Sequence, residues 1–161
     1  MDRTSKKRPR PKPALRMPAA EDGARVWQLI RACEPLDENS MYCNLLQCDH
    51  FAETCVIAEI DGEAAGWISA YVPPSEPDTL FVWQVAVHES ARGLGLAKRM
   101  LAHILEREVC DGVDMLKTTI TRDNDASWAL FTGFARDMEA PLSREAHFTR
   151  DDHFEGRHAT E

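Results

Sequence analysis

With 161 residues, 43% of them apolar, the chain is long enough to bury one real hydrophobic core, and no apolar run approaches the roughly 20 residues that cross a bilayer. Net charge is −8, split between +5 on residues 1–13 and −13 on the rest. Such an acidic body argues against nucleic acid as the main partner and suits a small cationic one, although it equally suits plain solubility.

The elements follow in chain order. Alternating Pro and like charges over Lys6 to Pro13 oppose a packed element, so residues 1–13 are expected to be a disordered basic tail and residues 14–161 a single domain. No apolar h-region follows the basic start, so a secretory signal is not expected. Ala14 to Met17 reads as a first strand ended by Pro18. Val26, Leu29, Ile30 and Cys33 mark one face of a helix, with Pro35 just past its end. After the polar break Leu36 to Ser40, Tyr42, Leu45 and Leu46 outline the face of a second, short helix. Thr54 to Ile60 and Glu63 to Val72 read as hairpin strands around the turn signal Asp61-Gly62. Pro73 to Asp78 is a stiff loop.

Leu80 to Val87 is an apolar run free of Gly and Pro, the signature of a buried strand. A helical pattern follows, with Leu96, Met100, Leu101 and Ile104 at steps of three and four. Met115 to Thr121 is β-branched and alternating. Asp123, Asn124 and Asp125 offer caps for a last helix lined by Ala126, Leu130, Phe131 and Phe134, and a final strand is expected around Ala146 to Thr149. The order is β-α-α-β-β-β-α-β-α-β, a mixed α/β pattern. The strands on either side of the long helix form a crossover and must be parallel. Cys33, Cys43, Cys48, Cys55 and Cys110 are odd in number and form no Cys-x-x-Cys pair, which predicts reduced thiols in a cytoplasmic protein.

Between the central strand and the long helix lies Arg92-Gly93-Leu94-Gly95-Leu96-Ala97. Helix N-terminal amides lack intrahelical partners and sit at the positive end of the dipole. Glycine lets an anion approach the backbone, so this turn predicts a phosphate cradle. It lacks the third glycine of a dinucleotide fingerprint and the Gly-Lys-Ser/Thr of a P-loop. What remains is Arg-x-x-Gly-x-Ala after a Val-Ala-Val strand end. That resembles the acyl-CoA pyrophosphate loop of the GNAT superfamily of N-acetyltransferases. Asn124-x-x-Ser127, followed by Leu130-Phe131, is similar to the superfamily's final helix, whose Asn and Ser lie near the CoA thiol and pantetheine. Longer stretches narrow the resemblance to the L-2,4-diaminobutyrate acetyltransferases of ectoine synthesis. These are Cys33 to Cys48, Thr79 to Val87, Thr118 to Phe131 and His153 to Glu161, within a match spanning roughly residues 15 to 161.

The resemblance implies a mostly antiparallel sheet with one parallel, splayed strand pair, flanked by helices. It implies acetyl-CoA as co-substrate, a small diamine as acceptor, no metal, no membrane or nucleic-acid partner, and a homodimer. Acetyl transfer to an amine needs the amine neutral, although an alkylammonium has an ordinary pKa of about 10. The thioester oxygen becomes an oxyanion, for which backbone N–H groups of Val85, Ala86 and Val87 are natural donors. Gly93, Leu94, Gly95, Leu96 and Ala97 would grip the pyrophosphate, with Arg92 adding charge. The family's substrate site carries over to Asp37, Tyr42, Trp83, His158 and Glu161, with Asp37, Tyr42 and His158 as the catalytic candidates. Asp37 and Glu161 suit ammonium groups, Trp83 offers a π face to a cation, and His158 suits a carboxylate or a proton relay.

Each residue also has a plainer reading. Asp37 suits a helix cap, Trp83 and Tyr42 suit core, and Glu161 suits a frayed end. His147, His153 and His158 lack a tight ligand motif. Phe131 stands where many relatives carry a Tyr that protonates the departing thiolate, so that proton is left to water, Tyr42 or His158, or the thiolate leaves unassisted. A peptide acetyltransferase and a catalytically silent acyl-CoA binder are the competing readings.

Overall fold

The computed structural model describes residues 11–161, so most of the expected basic tail lies outside the described residues. Five strands form one sheet in the order β1-β2-β3-β4-β5. They are β1 (Ala14–Arg16), β2 (Val56–Ile60), β3 (Glu63–Tyr71), β4 (Thr79–Val87) and β5 (Met115–Thr118). The first four pair antiparallel, and β4 and β5 pair parallel. The helices are α1 (Gly23–Ala32), α2 (Met41–His50), α3 (Leu96–Leu105) and α4 (Asp125–Asp137). The β2–β3 hairpin turns on Asp61 and Gly62, with φ of 52° and 80°, the left-handed pair that a two-residue hairpin demands.

Strand alternation sends side chains to two cores. Val56, Ala58, Ile68 and Ala70 pack with Met100, Leu101 and Ile104 of α3. Ile57, Trp67 and Ala86 pack with Val26, Leu29 and Ile30 of α1. Each fully buried Val, Ile, Leu or Met side chain among them contributes about 1.5–3 kcal/mol. On the outer edge, Asp22 accepts from the Arg16 and Arg25 guanidiniums, and both arginines also reach Glu59. This network ties β1 to α1 and β2. The Arg16 guanidinium holds the Asp22 carboxyl down at about 2.

The centre of β4 departs from a regular strand. Ser69 of β3 lies opposite Gln84, whereas Ala70 lies opposite Val82, so Trp83 is an extra, bulged residue. The parallel ladder with β5 also stops at Val82, paired with Thr118. Facing direction changes across the bulge. Leu80 and Val82 pack on the α3 side before it, and Val85 and Val87 pack there after it. Among the described residues, β4 has no paired strand on the β5 side past Val82, and the two strands part.

Four expectations need correction. The strand expected to run from Met115 to Thr121 ends at Thr118, because β4 turns away at the bulge. No strand forms at 146–149. Glu161 instead folds back, its carbonyl accepting from His147 and Phe148 and its N–H donating to Phe148, one point of pairing rather than a ladder. The second helix buries Asn44, Gln47 and Cys48, not a face of Tyr42, Leu45 and Leu46. Trp83 is not core: it is 46% exposed.

Candidate active site

The parting of β4 and β5 opens a cleft of about 1440 Å³. One wall is β4 from Phe81 to Val85, and the opposite wall is Thr119 to Thr121 with the start of α4. The loop after α1, the C-terminal segment, Arg92 and Ala97 complete the lining.

Between β4 and α3 the cradle takes shape. Gly95 is the N-cap of α3 in a left-handed conformation, φ 67°, with no side chain capping the helix. Gly93 is also left-handed, φ 79°, and a Cβ at either glycine would meet nothing within 4 Å. The first amides of α3 have no partner within the helix, and the glycine turn before them leaves room for an anion to approach, an arrangement suited to anion binding. Leu96 itself is buried in the core, so only its main chain is available to the cradle. Arg92 is exposed beside it, its Nε directed at the Val87 carbonyl at 3.4 Å. Val85 and Val87 line the cleft, while the Ala86 side chain is buried on the α1 side. Asn124 caps α4, its Oδ1 accepting from the Ser127 N–H at 3.1 Å, and both residues line the cleft. Phe131 is buried and also lines it.

Where the loop after α1 meets the C-terminal segment, three sequence candidates come together. His158 Nε2 lies 3.6 Å from Asp37 Oδ2 and 3.7 Å from Glu161 Oε1. His158 Nδ1 donates to the Ala159 carbonyl, 2.8 Å away, and this bond raises the imidazole pKa above its ordinary value, helped by Glu161 and Asp37. Glu161 is anchored, not frayed: besides its main-chain bonds, Oε2 accepts from Thr119 Oγ1 at 2.7 Å. Asp37 is not a cap, since Ser40 caps α2 by accepting from Cys43 N–H. Trp83 lines the same chamber, packed edge-on to Tyr71 at 6.1 Å.

Tyr42 is the candidate that the fold does not bring in. It is 68% exposed and lies outside the cleft lining, because α2 turns Asn44, Gln47 and Cys48 inward. Gln84 is the residue that sequence reasoning missed. It holds the loop bearing Asp37 through two side-chain hydrogen bonds. The available signal was a lone polar amide inside an otherwise apolar strand. Among the described residues, no three His, Cys, Asp or Glu side chains converge as a metal-holding group.

Comparison with known proteins follows the same lines. Residues 24–134 match the model of the acetyltransferase (GNAT) family. The L-2,4-diaminobutyric acid acetyltransferase of Methylotuvimicrobium alcaliphilum is 53% identical over 147 residues, covering 91% of this chain and 86% of that protein. The enzyme of the same name from Vibrio cholerae is 49% identical, covering 93% and 89%. The solved structure of diaminobutyrate acetyltransferase EctA from Paenibacillus lautus, in complex with its substrate L-2,4-diaminobutyric acid and coenzyme A, superposes with a TM-score of 0.87. It is 41% identical and covers 94% of this chain and 90% of that one. An open amide cradle at the head of α3, a splayed β4–β5 pair and these relatives agree: the chain belongs to the GNAT acetyltransferases and, within them, to the L-2,4-diaminobutyric acid acetyltransferase family.

Proposed function

We propose that this protein transfers the acetyl group of acetyl-CoA to the 4-amino group of L-2,4-diaminobutyrate by direct attack in a ternary complex. The observation that carries the reading is what one cleft brings together. Arg92 and Ala97, which flank the glycine turn before α3, line it together with two carboxylates, an imidazole and a tryptophan face.

The pyrophosphate of CoA sits on the main chain of Gly93 to Ala97, with Arg92 adding charge. The pantetheine arm runs between β4 and the start of α4, past Asn124 and Ser127. The acetyl group then lies where β4 has lost its neighbour. N–H groups of β4 between Val85 and Val87 receive the oxyanion as the amine nitrogen bonds the acetyl carbon and the C–S bond breaks. Asp37 and Glu161 hold ammonium groups of the diamine over Trp83, while His158 sets the charge between the two acids. The proton leaving the amine passes through Asp37, whose side chain is 87% exposed, to water. With phenylalanine at position 131, the thiolate takes its proton from solvent or from His158. Holding both reactants at attack distance supplies much of the acceleration. Tyr42 has no part in this cleft as a single chain forms it. The enzyme is read as a cytoplasmic homodimer serving ectoine synthesis.

The test is thiol release from acetyl-CoA with L-2,4-diaminobutyrate as acceptor, with product mass and the site of acetylation read alongside. Release with the diamine and acetylation at the 4-amino group support the reading. Release only with a peptide amine or another small amine overturns the substrate, and CoA binding without turnover overturns the activity.

A further inference from the structure

We infer that Gln84 is a positioning residue for the acceptor: its carboxamide aims Asp37 into the cleft by clamping loop 37–39 to the bulge of β4. The inference rests on the reading that Asp37 binds the diamine.

Gln84 follows Trp83, and both line the cleft. In a regular strand, two adjacent residues face opposite sides; the bulge removes that constraint. Gln84 Nε2 donates to the Asp37 carbonyl at 2.8 Å, and its Oε1 accepts from Asn39 Nδ2 at 3.1 Å. The orientation of the amide follows from chemistry. A backbone carbonyl can only accept, so Nε2 must face Asp37 and Oε1 must face Asn39. Among the described residues, both side-chain hydrogen bonds that join 37–39 to the sheet pass through Gln84. The loop has no helix or strand of its own, and the Arg31–Glu38 pair, 3.6 Å and exposed, holds it only weakly. Among the described residues, the Asp37 carboxylate meets only His158, at 3.6 Å. Its direction is therefore set by its main chain, and its main chain is set by Gln84.

The experiment compares Gln84→Leu and Gln84→Glu with the parent enzyme. Both remove the donor to Asp37; the second also brings a negative charge to it. Each is expected to raise KM for L-2,4-diaminobutyrate about tenfold and to lower kcat, since Asp37 also carries the amine's proton, with KM for acetyl-CoA changed less than about twofold. In an Asp37→Asn background, Gln84→Leu is expected to add less than about a further twofold, because the two act as one unit. Full additivity, or equal rises in both KM values, overturns the inference. Amide hydrogen exchange at residues 36–39 reads the clamp without turnover: faster exchange in Gln84→Leu supports it, and unchanged exchange overturns it. Asn39→Ala, which breaks one bond at the surface, serves if the strand variants do not fold, with a KM rise of about threefold expected. An inactive parent enzyme refutes the function while leaving the exchange result to decide the clamp. An active parent with Gln84→Leu unchanged refutes the clamp alone.

Discussion

Replacing Gly95 by alanine separates what the cradle costs the fold from what it does for the ligand. Gly95 has φ 67°, so an alanine there is held in the left-handed region at a cost of about 1–2 kcal/mol. No clash adds to this, since a Cβ would find nothing within 4 Å. For a chain of this size the loss corresponds to a Tm lower by roughly 2–8 °C. The methyl group would enter open space at the head of α3. If a pyrophosphate sits there, one or two hydrogen bonds to a charged group are lost, each worth about 1.5–3 kcal/mol. KM for acetyl-CoA should then rise by about tenfold or more, with KM for the diamine nearly unchanged. Gly62→Ala is the control: φ is 80°, its Cβ would also meet nothing, and it lies in the β2–β3 hairpin away from the cleft. Both variants should lose similar stability in thermal melts, and only Gly95→Ala should lose acetyl-CoA. If the two show the same acetyl-CoA KM, the cradle does not hold the pyrophosphate and the mechanism fails at its first step.

Other outcomes follow from the same geometry. Asp22 is depressed to about 2, so its ion pairs stabilise the fold above the ordinary carboxyl range and are lost as pH falls from about 4 towards about 2. Asp22→Asn should therefore cost about 2 kcal/mol in denaturant titrations at neutral pH and much less near pH 2. His158 is raised, so the stability it gains from the Ala159 carbonyl, Glu161 and Asp37 is complete below the ordinary imidazole value and fades as pH climbs through the higher folded value. The stability advantage of the parent over His158→Gln should shrink as pH rises above the ordinary imidazole value of about 6.5, and a constant advantage would refute these interactions. Gly23→Ala would drive a Cβ into Leu45, whose Cα lies 3.0 Å away, so overpacking between α1 and α2 should cost about 1–3 kcal/mol in melts. Burial pushes Cys48 and Cys55 up to about 12, and Cys33 and Cys110 are buried too. A thiol reagent should label only the part-exposed Cys43 quickly in the folded protein.

Much of this molecule was legible in one dimension. Periodicities of two and 3.6 located the four α-helices and the five strands within a few residues, because a half-buried element must repeat its apolar side chains at its own pitch. Asp61-Gly62 and Gly93–Gly95 marked their turns, because positive φ is a local property that few residues tolerate. The strand-turn-helix cradle and the long matching stretches carried the family. α2 misled because its buried side is polar: Asn44 and Gln47 pair with each other inside the protein, and no hydropathy pattern reports that.

The amino-acid order thus determined, by itself, the elements, their sequence and the anion-binding turn, since each depends on residues within a few positions of one another. Only the tertiary structure decided where β4 bulges, which turns Trp83 to the cleft and releases β4 from β5 beyond Val82. It alone brought Asp37, His158 and Glu161 together and gave Gln84 its hold on the acceptor loop. The reason is physical. Register between strands and contacts between distant loops are fixed by which packing closes the core, and that competition is settled between segments rather than within any one of them.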